Sequence, residues 1–153
     1  MHYNGLLRVP LIVRGPGVQQ NAVVSEPVST IDMAPAVFDY ARCEPLLNPH
    51  GESLKPLPEG RELKRESALA EWELLPTRAG VALSLRVVRT ATHKLTVDFL
   101  SGVGELYDPV DDPGEMKNRF DDPGYSEGRA QLESYLMSRV QDQQGLPAQV
   151  GLA

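Results

Sequence analysis

Leu6-Leu7-Arg8-Val9-Pro10-Leu11-Ile12-Val13-Arg14-Gly15-Pro16-Gly17 is the stretch on which the reading of this chain turns. Val9 and Leu11 to Val13 form an apolar run without the in-and-out alternation of a half-buried strand. That is the pattern of a strand covered on both faces by helices. Gly15-Pro16-Gly17 then forces a turn, because Gly tolerates positive φ and Pro fixes its own. Such a strand needs neighbours. No second run of this kind follows, and no β-α-β succession supplies parallel partners. The stretch therefore reads as one strand of a larger α/β sheet whose other strands lie elsewhere.

Bulk properties narrow the class. A chain of 153 residues is long enough for one domain with a real core. With 41% apolar and 24% charged residues, wholesale disorder is not expected. A formal charge of -6, with Lys64-Arg65 as the longest basic run, argues against a nucleic-acid surface, which needs clustered cations. No apolar window approaches the roughly 20 residues of a membrane span. Met1-His2-Tyr3-Asn4 is not the charged start of a signal peptide. Cys43 is the only cysteine, so an internal disulfide is impossible and the compartment stays open.

Along the chain, Val23-Val24 to Val28 reads as a short extended piece, and a helix opens after Ser29-Thr30-Ile31-Asp32. Asp32 is the preferred N-cap, since it leaves Pro35 in the first turn, with Thr30 as the other candidate. Met33, Ala34, Val37, Phe38 and Ala41 recur at helical spacing and give one apolar face for packing on the sheet. Arg42 follows where a Gly would provide an easy left-handed stop. Residues 44–66 turn to Pro, Gly and charge and read as a surface loop.

Beyond residue 67 the period changes to two. Residues 68–74, 81–88 and 94–99 alternate, with Leu95, Val97 and Phe99 on one side and Lys94, Thr96 and Asp98 on the other. These three strands predict an antiparallel meander with one face buried, and Glu105 to Asp108 offers a fourth. Trp72 and Tyr107 read as core aromatics. Asp111-Asp112-Pro113-Gly114 and Asp121-Asp122-Pro123-Gly124 are turns. Ser126 is expected to cap a final helix whose covering face is Leu132, Tyr135, Leu136, Arg139 and Val140. The tail after Gly145 lacks periodicity.

Several of these segments resemble one family in its own order. Tyr3-Asn4-Gly5 with Arg8 to Gly17 is similar to the sulfatase segment "YEG..RVPLIVR.PG", with Asn4 where Glu is usual. Pro27 to Pro35 resembles "PVS.IDLAPT", and residues 51–60 resemble "GRSL.PLL.G", with Pro58 in place of Leu. Val88-Arg89-Thr90, His93-Lys94-Leu95, Gly104 to Asp108 and Asp112-Pro113-Gly114-Glu115 with Asn118 resemble "RT..YKL…GELYDL..DP.E..NL". The matches span about residues 3 to 124. By this resemblance the chain is the C-terminal portion of a sulfatase, a sulfuric-ester hydrolase of the alkaline-phosphatase-like superfamily.

The implied fold class is α/β to α+β: the last strand and helix of the catalytic α/β domain, then a small antiparallel sheet with a C-terminal helix. The implied division is 1–43 as the end of the catalytic domain, 44–66 as connecting loop, 67–145 as C-terminal subdomain and 146–153 as loose tail. The family hydrolyses sulfate esters with a formylglycine nucleophile, made within C-x-P-x-R, and a divalent cation, calcium or magnesium. Cys43-Glu44-Pro45-Leu46-Leu47 has the Pro but not the Arg, so Cys43 reads as a partly buried structural thiol. His2, His50 and His93 share no ligand spacing, and the paired Asp residues belong to turns.

No catalytic or metal-binding residue is therefore expected in this chain, nor any cofactor bound by it. The nucleophile, the metal carboxylates and a sulfate-holding lysine belong to a missing N-terminal portion, the expected partner. His2, Tyr3 and Arg8 are the candidates for the rim of the substrate pocket, Arg suiting bidentate contact with sulfate. The alternatives are a structural ion pair for Arg8 and a solvated terminus for His2. His93 is either a contact toward substrate or a satisfied turn histidine. Rival functions are a phosphonate or phosphate ester hydrolase of the same superfamily and a non-catalytic module that associates through a strand edge.

Overall fold

In the computed structural model, the described residues are 4–44, 47–61, 63, 65–76 and 80–138. The chain opens with a single helical turn, α1 (Asn4–Leu7), which the sequence reading did not anticipate. Residues 8–14 follow without strand pairing. Val9, Leu11, Ile12 and Val13 are all exposed, Ile12 at 90%. The predicted buried strand thus stands unpaired, because a strand exists only where a ladder partner accepts its N–H groups and this chain's other strands pair among themselves. Residues 23–28 likewise form no strand.

The next helix starts earlier than expected. Thr30–Asp32 is a 3-10 turn with Ser29 at its N-cap, and α2 (Met33–Ala41) continues from it. Asp32 is fully buried. Its carboxylate accepts from the Ser29 amide at 2.7 Å and the Glu52 amide at 3.0 Å, and it is ion-paired with Arg65. Asp32 therefore ties together the helix start, the loop and the approach to the sheet, a wider role than an N-cap. Gly51 makes this approach possible: a Cβ there would stand 2.3 Å from the Ile31 carbonyl oxygen.

At its other end α2 closes with Arg42 itself in the left-handed region, φ 55 and ψ 35. The Arg42 amide donates to the Asp39 carbonyl at 3.3 Å and the Cys43 amide to the Phe38 carbonyl at 3.0 Å. This is the Schellman arrangement, formed here without glycine. The expected apolar face of α2 is not buried: Met33, Ala34, Val37 and Ala41 are exposed and Phe38 half-buried. Ala36 packs instead on Leu54 and Leu57, with Val28 and Leu63 around them. The predicted face has no sheet to meet within this chain.

Four strands form one antiparallel meander, β1 (Ala68–Leu74), β2 (Leu83–Arg89), β3 (Lys94–Asp98) and β4 (Gly104–Tyr107), in that spatial order. Helix α3 (Ser126–Met137) covers one face. Val88, Leu95 and Leu106 from the sheet meet Leu132 and Leu136 from α3, all 3% exposed or less. Burying each of these side chains contributes about 1.5–3 kcal/mol. Gly104 is required because Phe120 lies across it, with a Cβ there falling 2.0 Å from the ring.

Four expectations change here. The opposite face of β2 and β3 is also buried: Leu85, Val87, Lys94, Thr96 and Asp98 are all under 9% exposed. Trp72, on edge strand β1, is 46% exposed and is not a core aromatic, whereas Tyr107 is buried. Ser126 is the first helical residue of α3, and it is Asp122 that caps the preceding 3-10 turn (Pro123–Tyr125), accepting from the Gly124 amide at 3.0 Å. Cys43 is exposed rather than partly buried. Arg139, Val140 and the tail lie outside the described residues.

Candidate functional site

The sheet face opposite α3 carries buried charge, Lys94 and Asp98 on β3 with Glu115 beside them. Register places Arg89 of β2 opposite Lys94 of β3, and Lys94 opposite Tyr107 of β4. These three side chains share one row. Lys94 Nζ is 2.6 Å from Glu115 Oε2, with 1% and 2% of the two side chains exposed. The same ammonium lies 5.1 Å from the centre of the Tyr107 ring.

Glu115 reaches the row from the loop after β4. It adopts φ 54, and its amide donates to the Asp112 carbonyl at 3.0 Å. Asp112 also accepts from the Met116 and Lys117 amides at 2.7 and 2.8 Å, so this acidic turn staples its own backbone. Asn118 fixes the loop to the sheet edge, accepting from the Leu106 amide at 2.9 Å and donating to the Gly104 carbonyl at 3.2 Å.

Arg89 ends the row. Its Nη1 is buried with no hydrogen-bond partner. Burial pushes its guanidinium below the ordinary arginine value; Glu115 opposes that shift and the charge of Arg8 adds to it. Arg8 itself is exposed. Among the described residues Arg8 makes no ion pair. His2 and Tyr3 lie outside the described residues.

His93 takes the turn role. Its amide donates to Thr90 Oγ1 at 3.0 Å, its Nδ1 is 2.8 Å from Thr92 Oγ1, and its Nε2 is 3.9 Å from Asp108. The ring meets Tyr125 edge-on at 6.1 Å. It lines an open cleft of about 540 Å³ with Arg65, Glu66 and Tyr135. Arg65 is committed to Asp32, and the Tyr135 hydroxyl donates to Glu66, which holds the phenol above its usual pKa. The cleft walls are occupied with one another.

Donors for a cation are not assembled: among the described residues no group of three His, Cys, Asp or Glu side chains is placed to hold one. Cys43 Sγ has only the Ala41 carbonyl nearby, at 3.9 Å, and Leu47, where an Arg would be needed, is 95% exposed. The described residues do not fit a formylglycine and metal centre. The alternation rule had placed Lys94 on the solvent side and so missed Lys94, Glu115 and Arg89. The signal was in the sequence, since all three fall within the motif run quoted above.

Comparison with known proteins places the chain. The family model for N-sulphoglucosamine sulphohydrolase, C-terminal, matches residues 1–143. An extracellular sulfatase SULF-1 homolog of Drosophila melanogaster is 30% identical over 116 residues, covering 65% of this chain and 10% of that protein. Arylsulfatase K of Gallus gallus is 34% identical over 118 residues, covering 72% of this chain and 22% of that protein. This chain thus spans between a tenth and a quarter of the length of these relatives. A sulfatase-family crystal structure from Bacteroides thetaiotaomicron superposes with a TM-score of 0.75 at 32% identity, covering 90% of this chain and 31% of that one. A phosphonate monoester hydrolase of Agrobacterium radiobacter superposes at 0.63 with 27% identity over 72% of this chain and 24% of that one. With this match over nearly its whole length, the chain belongs to the sulfatase family, as a C-terminal region of the N-sulphoglucosamine sulphohydrolase type.

Proposed function

We propose that this chain is the C-terminal part of an enzyme that hydrolyses sulfate esters, completing an N-terminal catalytic portion. In this reading residues 1–43 finish the large catalytic sheet, 44–66 connect, 67–145 form the small subdomain and 146–153 trail from it. Formylglycine and a divalent cation in the catalytic portion supply the nucleophile and polarise the ester. This chain's own residues, Arg8 with His2 and Tyr3, border the pocket and orient the anionic substrate. Alone, the chain is inactive.

The observation that carries the reading is the uncovered apolar surface at the N-terminal end. Val9, Leu11, Ile12 and Val13 are exposed together with Val37 and Met33 of α2. A folded domain gains by covering such large apolar side chains, and the sheet of the catalytic portion would cover them. The test is co-expression with a sulfatase catalytic portion, followed by size-exclusion chromatography and an aryl sulfate assay. Co-elution with hydrolysis supports the reading. A monomer with no affinity for that portion contradicts it and favours a non-catalytic module.

The likeness to a phosphonate monoester hydrolase supports a second reading, a phosphonate ester substrate in the same architecture. Assaying the reconstituted enzyme on matched aryl sulfate and phosphonate monoesters separates the two by their kcat/KM values.

A further inference from the structure

We propose that the open cleft between α3, the turn after β2 and the lead into β1 is a binding site for an uncharged sugar ring. The cleft measures about 540 Å³, within the size range of small-molecule sites. Its polar groups come from separate elements: Gln131 and Tyr135 from α3, His93 from the turn, Glu26 from the stretch before α2 and Glu66 from the lead into β1. Bonds among these groups hold them in place and leave acceptors over. The Gln131 amide donates to the Tyr135 hydroxyl at 3.0 Å, and that hydroxyl donates to Oε2 of Glu66. The other Glu66 oxygen, the side-chain oxygen of Gln131 and Oε1 of Glu26 accept no hydrogen bond among the described residues.

Gly128 is a second, independent observation. It stands in the first turn of α3, where glycine lowers helix stability relative to alanine. The fold does not ask for it: its φ is not positive, and no described atom lies within 4 Å of where a Cβ would stand. It does line the cleft, so the space left by its missing side chain is cleft volume.

The chemistry of the ligand follows from the lining. Open carboxylate and amide oxygens take hydroxyl donors, and Pro27 and Leu132 offer apolar surface to the C–H groups of a sugar ring. A sulfated or carboxylated unit would face Glu26 and Glu66, while the guanidinium in the lining, Arg65, is engaged by Asp32. A lone ammonium would leave most of the volume unfilled, since the acceptors are spread over separate elements. Such a site goes beyond sulfate-ester hydrolysis and does not need the catalytic portion, so its failure leaves that reading untouched.

The test uses the whole chain. Methyl α-glucoside, methyl α-galactoside and methyl α-mannoside are titrated while backbone amide and glutamine side-chain signals are followed by NMR, with glucose 6-sulfate and ethylammonium chloride as charged counterparts. At least one glycoside is expected to shift the Gly128, His93 and Gln131 signals saturably, at roughly millimolar concentration and more tightly than either charged probe. Gly128→Leu should abolish these shifts and melt at the parent temperature or higher, because the helix gains and the new side chain enters open space. Gln131→Ala, at an exposed helix position, should weaken binding severalfold and keeps the test decisive if Gly128→Leu does not fold. Cleft signals unmoved by every glycoside overturn the proposal, as does parental affinity in the folded Gly128→Leu or in Gln131→Ala. A charged probe that binds as tightly as the best glycoside overturns it too.

Discussion

Lys94 and Glu115 form an ion pair at 2.6 Å with almost no solvent contact on either side chain, one from a sheet strand and one from the loop after β4. Removing one partner takes the closest opposite charge from the other in a dry environment. Lys94→Met is expected to cost about 3–5 kcal/mol, measured by urea unfolding. The double variant Lys94→Met/Glu115→Leu should lose much less than the sum of the single changes. A double variant as unstable as that sum would place the energy of the contact elsewhere.

The left-handed residue at the end of α2 gives a prediction of opposite sign. Arg42 holds φ 55, a conformation that strains side chains with a Cβ. Arg42→Gly keeps both capping hydrogen bonds and should stabilise by about 0.5–1 kcal/mol, after the entropy of glycine in the unfolded chain is counted. A rise in thermal midpoint is the expected result, and a fall would show that the Arg42 side chain itself anchors the turn.

Gly104 and Phe120 are coupled by space alone. A methyl at position 104 would overlap the ring, with the nearest carbon at 2.0 Å. Gly104→Ala should therefore cost about 1–3 kcal/mol. Adding Phe120→Leu should make the alanine nearly neutral, so that the double-mutant cycle reports strong coupling.

Asp98 sets an acid limit on the sheet. Its carboxylate accepts from the Ser101 hydroxyl, the Ser84 amide at 2.9 Å and the Leu100 and Ser101 amides at 3.2 Å. These bonds, that from the Ser101 hydroxyl foremost, hold its pKa below the usual carboxylate value. The folded value lies below the unfolded one, so this contribution is present above the ordinary aspartate pKa of about 3.9 and is lost as pH falls through the folded value. Asp98→Asn should flatten the acid limb of urea midpoints measured from neutral pH downward. An unchanged slope would assign the acid sensitivity to other carboxylates.

The meander was legible because alternation and turn residues coincide. Strands at 68–74 and 94–98 fell where the period of two put them, while β2 begins only at Leu83 because Val81 makes no ladder bonds. The faces were less legible. Alternation ranks residues by polarity, so Lys94 and Asp98 were assigned to solvent, although a long-range partner, Glu115, and a local turn bury them. The Asp32 hub was hidden for the same reason, since its partners Glu52 and Arg65 lie far along the chain. The apolar run at 9–13 forms no strand and is exposed, having no ladder partner among the described residues. Of the rim candidates, Arg8 is exposed, and His2 and Tyr3 lie outside the described residues.

In the proposed function the run at 9–13 is a strand whose companions belong to the catalytic portion. Amide hydrogen exchange of residues 9–13, measured for this chain alone and after addition of the catalytic portion, tests that most directly. Fast exchange alone, with protection rising by orders of magnitude on mixing, is the predicted result. Strong protection already present in the isolated chain, or none gained on mixing, would contradict it.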